Sequence, residues 1–236
     1  MFSYYGSKSK IVDNYPSPKY DMIIEPFAGS ARYSLKWFDR EVLLIDKYPI
    51  IIDVWHYLQA ASEKDIVNLP KPEIGDDLRK YKNLSKIEKQ FMGFLVQAAQ
   101  GKPANTVTKY SDFYKTKTDP RYRIAKQLFK IRHWKIECAD YASIANQEAT
   151  WFIDPPYQKG GQHQYKYNNK SINYSKLAGW CKSRMGQAIV CENMKADWLS
   201  FYPMTDLQGV ANTNTVEAIW SNCKHDYQAQ QLSFAA

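Results

Sequence analysis

The sequence has 236 residues, 44% of them hydrophobic and 24% charged, and a formal net charge of +8. That length suits one α/β domain of ordinary size with a modest insertion, and the composition excludes fibrous and low-complexity chains. Apolar runs such as Ile50-Ile51-Ile52 are broken by charge within a few residues, which excludes a membrane-spanning helix.

The first residues lack the apolar stretch of a signal peptide, so a cytoplasmic protein with no membrane partner is expected. Cys138, Cys181, Cys191 and Cys223 are scattered, without a CxxC pair or a nearby histidine, which argues against a disulfide framework and against a metal site. The positive charge favours a polyanionic partner, and tyrosines suit stacking on exposed bases.

Short apolar runs alternate with amphipathic stretches, the pattern of a mostly parallel sheet covered by helices. Met22-Ile23-Ile24 predicts a first strand and Ala31 to Phe38 its helix; Val42 to Ile45 predicts a second strand and Ile50 to Ala61 its helix. Between Ser62 and His133 the rhythm changes. Leu69-Pro70-Lys71-Pro72 reads as a linker. Ser85 to Ala99 has helical spacing with Ile87, Phe91, Phe94 and Leu95 on one side, and Gly101 to Arg132 is polar, basic and tyrosine-bearing. Lys135 to Cys138, Trp151 to Ile153 and Ala188 to Cys191 predict three further strands, and Tyr202 to Leu207 and Val216 to Trp220 two more. The expected architecture is a Rossmann-like α/β core over residues 1–61 and 134–236, with a mixed sheet of about seven strands, and a small, partly helical insertion over 62–133.

Polar residues at strand ends are the places to look for chemistry, because open α/β sheets bind ligands there. In Ile24-Glu25-Pro26-Phe27-Ala28-Gly29-Ser30-Ala31 a strand ends in an acid, and a turn of small residues leads into a helix. Such a turn lets backbone approach a ligand closely, although many occur without one. Asp46 closes the second strand about 20 residues after the turn, where an acid binds a ribose diol; a helix cap or a surface acid is the alternative. Tyr48 and Ile50 follow it as flanks for an adenine ring. The sharpest signal is Phe152-Ile153-Asp154-Pro155-Pro156-Tyr157. It offers a carboxylate, two prolines that fix where carbonyls point, and an aromatic face. A Pro-Pro-Tyr docking peptide is the alternative, disfavoured by the buried run that precedes it.

These motifs resemble the Dam-like class of DNA adenine-N6 methyltransferases, known from phages and restriction–modification systems. The likeness covers residues 1–60 and 134–157. It implies an S-adenosylmethionine-dependent enzyme acting on N6 of adenine in DNA, with Asp154, Pro155, Pro156 and Tyr157 as the catalytic tetrad. It also implies a cofactor site. Tyr4-Tyr5-Gly6-Ser7-Lys8 matches the family's N-terminal motif, in which Lys8 and a tyrosine help hold the methionine end. Glu25, Phe27, Ala28, Gly29 and Ser30 match its glycine turn, Asp46, Lys47 and Tyr48 follow the second strand, and Asp140 and Tyr141 follow the third. The insertion holds the place of the family's target-recognition region, though Gly101-Lys102-Pro103-Ala104-Asn105 matches its usual sequence only faintly.

The chemistry expected is lone-pair release. Asp154 accepts one amino hydrogen of the base and the Pro155 carbonyl the other, while Tyr157 stacks on a base flipped out of the duplex. Phosphate contacts are expected from Lys102, Lys109, Lys115, Lys117, Arg121 and Arg123 in the insertion. After the tetrad, Lys159, Lys166 and Lys170 are interleaved with Tyr165, Tyr167, Asn168 and Asn169, and Gly160-Gly161 makes this loop pliable. Alternatives at this stage are an enzyme acting on cytosine N4 or on RNA, and a catalytically silent DNA-binding protein of the same fold.

Overall fold

The computed structural model describes residues 1–97, 100–160, 165–208, 214–223 and 226. Among these, seven strands form one sheet: β1 (Met22–Glu25), β2 (Glu41–Asp46), β3 (Lys135–Cys138), β4 (Ala149–Ile153), β5 (Gly186–Asn193), β6 (Tyr202–Gln208) and β7 (Asn214–Ser221). Their order is β3-β2-β1-β4-β5-β7-β6. All pairs are parallel except those of β7, which runs antiparallel to both β5 and β6.

The central strands are buried on both faces, which is why they read as continuous apolar runs rather than alternating ones. Successive residues still divide between two cores. Ile23, Leu44, Phe152 and Ile189 face one, while Ile24, Leu43, Trp151 and Val190 face the other. From β1 the chain moves outward to β2 and β3, then returns to place β4 on the other side of β1. Such a reversal opens a crevice at the carboxyl ends of the two strands. Glu25 ends β1 there and Asp154 follows β4.

The helices are α1 (Arg32–Lys36), α2 (Pro49–Ala60), α3 (Glu63–Val67), α4 (Lys86–Gly93), α5 (Asp112–Lys115), α6 (Pro120–Ala125) and α7 (Tyr174–Lys182). Ser62 with Asp65 and Ser85 with Glu88 form capping boxes that start α3 and α4. Two predicted helices are shorter than their spacing suggested. Ala31 lies outside α1 in a left-handed conformation, φ 44°. Helix α4 stops at Gly93, because the carbonyls of Leu95 and Val96 are taken by the amides of Asp112 and Thr108 at 2.8 and 3.1 Å. Ala99, the predicted end of that helix, lies outside the described residues.

Residues 62–133 pack onto the sheet rather than hanging from it. Ile66, Leu78, Phe91, Phe94, Ile124 and Leu128 join the same apolar cluster as Ile23 and Leu44. The expected linker is corrected on the same ground: Leu69 is buried and its carbonyl accepts from Arg121. The N-terminus is clamped between the two parts. Met1 and Phe2 are fully buried, and the terminal ammonium donates to Gln127 Oε1 at 3.1 Å. This anchorage delivers residues 4–8 to the crevice.

Candidate active site

The crevice begins with the turn after β1. Glu25 is buried, and its Oε1 accepts the Ser34 amide of α1 at 2.7 Å. Burial pushes its carboxyl up to about 8. Gly29 has φ 45°, and a Cβ there would lie 3.0 Å from the Tyr4 ring, so both backbone and space call for glycine. Asp46 ties this turn to β2: its Oδ2 accepts the Gly29 amide at 3.1 Å and its Oδ1 the Tyr48 amide at 2.8 Å. Burial pushes Asp46 up to about 6, against those two amides.

A cleft opens above the turn, lined by Tyr4, Tyr5, Glu25, Phe27, Ala28, Gly29, Ser30, Asp46 and Tyr48. Lys47 and Asp140 close one wall as an ion pair at 2.8 Å, and Tyr141 packs on Phe27 with ring centroids 5.4 Å apart. Lys166 and Tyr167 line the same cleft, and Tyr167 meets Tyr48 edge-on at 6.2 Å.

Asp154 lines this cleft as well and faces Lys8. The Lys8 ammonium is buried and has three acceptors: Asp154 Oδ1 at 3.2 Å, Glu217 Oε1 at 3.1 Å and the Tyr157 hydroxyl. The ammonium thus pairs with two carboxylates and donates to one hydroxyl. Lys8 also lines the cleft above Gly29, on the side toward Asp154. Burial alone would lower its pKa; the Asp154 and Glu217 carboxylates hold it above the ordinary lysine value. Burial pushes Asp154 up to about 6 against the pull of Lys8, and Glu217 adds to the rise.

Two acceptors remain free beside this cluster. Among the described residues, neither the second oxygen of Asp154 nor the Pro155 carbonyl has a protein donor, whereas the Pro156 carbonyl accepts from the Tyr174 hydroxyl at 2.5 Å. Asp154 lines the first cleft, and a second cavity lies against Tyr157 and Glu217 of the cluster, lined also by Ile11, Met194 and Val216. Residues 5–8 and Tyr165 line both this cavity and the cleft, so they form the partition between them. Gly6, φ 72°, sits under the Tyr165 hydroxyl, where any Cβ would collide.

The loop after the tetrad hangs from Glu192 on β5. This buried carboxylate accepts the Gln158 amide at 2.8 Å and the Trp198 indole at 3.1 Å, and burial pushes it up to about 7. Gly160 has φ 104°; Gly161 lies outside the described residues. Asn168 caps a short turn by accepting the Lys170 amide at 3.1 Å, and Asn169 donates to the Gln158 carbonyl at 2.8 Å. Both asparagines thus shape the loop.

The expected phosphate-binding residues divide. Lys102, Lys109, Lys115 and Lys117 are exposed, with Lys109 and Lys115 both over the Tyr110 ring. Arg121 is locked between Asp119, at 2.7 Å, and the carbonyls of Val67 and Leu69. Arg123 donates to the Met1 carbonyl at 3.0 Å and lies 3.7 Å from Asp112. Arg121 thus ties segments of the insertion to each other and Arg123 ties the insertion to the N-terminus, bracing roles in place of the expected phosphate contacts. Among the described residues, no cluster of His, Cys, Asp or Glu could hold a metal ion, and no helix is long and apolar enough to cross a membrane.

Sequence reasoning singled out Asp154 and Tyr157 but missed Glu217, Glu192 and Tyr165 as parts of the site. A lone acid inside the apolar run Val216-Glu217-Ala218-Ile219 was the available signal for Glu217. The family described as D12 class N6 adenine-specific DNA methyltransferase matches residues 4–197. That span takes in the glycine turn, Asp46, the insertion and the tetrad, and ends before β6 and β7. No curated protein matches the chain.

Proposed function

We propose that this chain, which belongs to the D12 class of N6 adenine-specific DNA methyltransferases, holds S-adenosylmethionine in the cleft above Gly29 and receives the target adenine in the cavity beside Tyr157. The family settles the reaction as methyl transfer from S-adenosylmethionine to N6 of adenine in DNA, over cytosine N4 and RNA.

The cleft's donor set fits that cofactor. Asp46 keeps a second lone pair on each oxygen after its two backbone bonds, enough for a ribose diol. Glu25 keeps an oxygen without a protein partner among the described residues, which suits a cationic amino group, while the Lys8 ammonium borders the same cleft on the Asp154 side. Phe27 and Tyr48 offer apolar faces. When bound, the cofactor supplies an electrophilic methyl group on its sulfonium.

The residues of this chain prepare the nucleophile. An adenine amino lone pair is delocalised into the ring and attacks poorly. Asp154 Oδ2 accepts one amino hydrogen and the Pro155 carbonyl the other, which draws the nitrogen toward a tetrahedral shape with its lone pair directed outward. As the new N–C bond forms, the amino proton becomes acidic and Asp154 takes it. A carboxylate raised to about 6 is a better acceptor than an ordinary one. Lys8 lies 4.5 Å from the Tyr157 ring centroid, so that face is occupied and the base stacks on the other. Reaching this cavity requires the base to leave the duplex stack. Lys102, Lys109, Lys115, Lys117 and Lys166, all exposed, supply phosphate contacts.

The observation that carries the reading is that Asp154, at the head of the tetrad, lines the same cleft as Glu25, Gly29 and Asp46, while Tyr157 borders the adjoining cavity. The test is incubation with labelled S-adenosylmethionine and mixed-sequence DNA, followed by nucleoside analysis. The wild-type protein yields N6-methyladenine and Asp154→Ala yields none; equal yield from both would remove the tetrad from the reaction.

A further inference from the structure

Glu217 reaches the site without a strand-end motif to bring it there. It sits inside β7, 1% exposed, outside the residues that the family matches. Its Oε1 gathers every donor in reach: Tyr15 hydroxyl at 2.5 Å, the Tyr157 hydroxyl, and the Lys8 ammonium at 3.1 Å. Its strand neighbours are apolar, and burying a carboxylate among them is costly unless it is paired. The pairing is lopsided, however. One ammonium serves two carboxylates, Asp154 and Glu217, so the cluster keeps an uncompensated negative charge beside the reacting groups.

The arrangement has a consequence for Asp154. Alone with Asp154, Lys8 would form an ordinary ion pair, and its full positive charge would make the carboxylate a weaker acceptor. Glu217 draws the ammonium between two anions and, through Tyr157, fixes its third proton. The nearest approach of Lys8 to Asp154 is then at Oδ1, at 3.2 Å, which turns Oδ2 toward the base. We propose that Glu217 is a positioning residue for methyl transfer: it shares Lys8 with Asp154, holds the Tyr157 ring by its hydroxyl, and keeps the catalytic carboxylate basic and half-open. The proposal rests on the assignment of Asp154 as the group that meets the adenine amino nitrogen.

The charged and titratable groups that face this cluster come from several elements. Tyr15 approaches from the segment before β1, Asp154 and Tyr157 from the end of β4, Cys191 from β5 and Tyr165 from the partition. Burial raises the Cys191 thiol and both Tyr157 and Tyr165 phenols above their ordinary values, so none of them gains charge near neutral pH. Asp154 is left as the member whose ionisation governs the acid limb of the rate.

The experiment is single-turnover methyl transfer at saturating S-adenosylmethionine and DNA across pH, for wild type, Glu217→Gln, Glu217→Asp and Asp154→Ala, with cofactor affinity from calorimetry on the same samples. Glu217→Gln removes the second negative charge, so Lys8 belongs to Asp154 alone. Its plateau falls roughly tenfold or more, and its acid limb moves to lower pH by about one unit. Glu217→Asp keeps the charge and retains the wild-type limb. If Glu217→Gln does not fold, Tyr157→Phe takes its place. It removes a donor from Glu217 and an acceptor from Lys8 without changing a charge, so its plateau falls while its limb stays. A limb that does not move in Glu217→Gln, or an unaltered plateau in Tyr157→Phe, overturns the proposal. Asp154→Ala separates the two readings: if it turns over normally, the site assignment itself has failed, whereas a dead Asp154→Ala beside a normal Glu217→Gln sinks only the role of Glu217.

Discussion

Glu25 and Asp46, at the ends of β1 and β2, are held by backbone. The Ser34, Gly29 and Tyr48 amides come from segments within a few residues of the turns they stabilise. Asp154 and Glu217, at the end of β4 and within β7, are held by side chains: Lys8, Tyr15 and Tyr157, each far from Glu217 in sequence. The first arrangement builds a cradle whose shape is set by the fold itself. The second builds a charge cluster that exists only when the N-terminus is docked on the sheet. Cofactor binding and methyl transfer should therefore fail under different substitutions.

Lys8→Met strikes the catalytic side hardest. It leaves two buried carboxylates without their cation, a change that costs on the order of 3–5 kcal/mol. Chemical unfolding should show a loss of that size together with loss of methyl transfer. A fully stable Lys8→Met protein would mean that Asp154 and Glu217 do not depend on the ammonium.

Asp46→Ala should fall on the cofactor side alone. It removes the acceptor of the Gly29 and Tyr48 amides and the proposed ribose contact, worth about 1.5–3 kcal/mol for hydrogen bonds to a charged group. Calorimetry should show weaker S-adenosylmethionine binding, while turnover at saturating cofactor changes less. Unchanged affinity would take Asp46 out of the cleft.

The pH dependence of stability tests both sides together. Glu25, Glu192, Asp46 and Asp154 are pushed up to about 8, 7, 6 and 6 from ordinary values of 4.5 for the glutamates and 3.8 for the aspartates. A group raised on folding binds its proton more tightly in the folded state. Its contribution is fully present below the unfolded pKa and is lost as pH rises through the folded one. The melting temperature should thus decline from about pH 5 to pH 8 while methyl transfer rises through the ionisation of Asp154. A melting temperature that climbs over that range would show these carboxylates to be ionised at little cost.

The smallest effect belongs to the insertion. Lys109→Ala and Lys115→Ala should each lower DNA affinity modestly and reduce the slope of affinity against salt by about one ion. Arg121→Ala should leave that slope alone and lower the melting temperature instead, because its guanidinium is already spent on Asp119 and on the Val67 and Leu69 carbonyls. A salt slope that responds to Arg121 and not to the lysines would reverse the division.

The same contrast explains what the sequence disclosed. All seven strands, the glycine turn, Asp46 and the tetrad are contiguous patterns, and the local rules that make them fold also make them readable. Glu217 is not readable in this way. Its meaning comes from Tyr15 and Lys8, brought to it by the pairing of β7 with β5 and by the buried Met1 and Phe2 that seat the N-terminus. Helix α7 went unpredicted although Asn173 caps it and Leu177 and Cys181 lie one turn apart on its buried face. Arg121 and Arg123 show the converse error, since a sequence displays a charge without its partner.

The cleft and the catalytic cluster meet at Lys8 and Asp154, yet they serve different steps, cofactor binding and methyl transfer. The most direct test of that division is Asp154→Ala, measured for single-turnover methyl transfer and for S-adenosylmethionine affinity on the same preparation. The variant should lose rate on the order of a hundredfold or more with little change in affinity, because the Asp154 carboxylate serves the base rather than the cofactor. Near-normal turnover, or an affinity that falls as steeply as the rate, would contradict it.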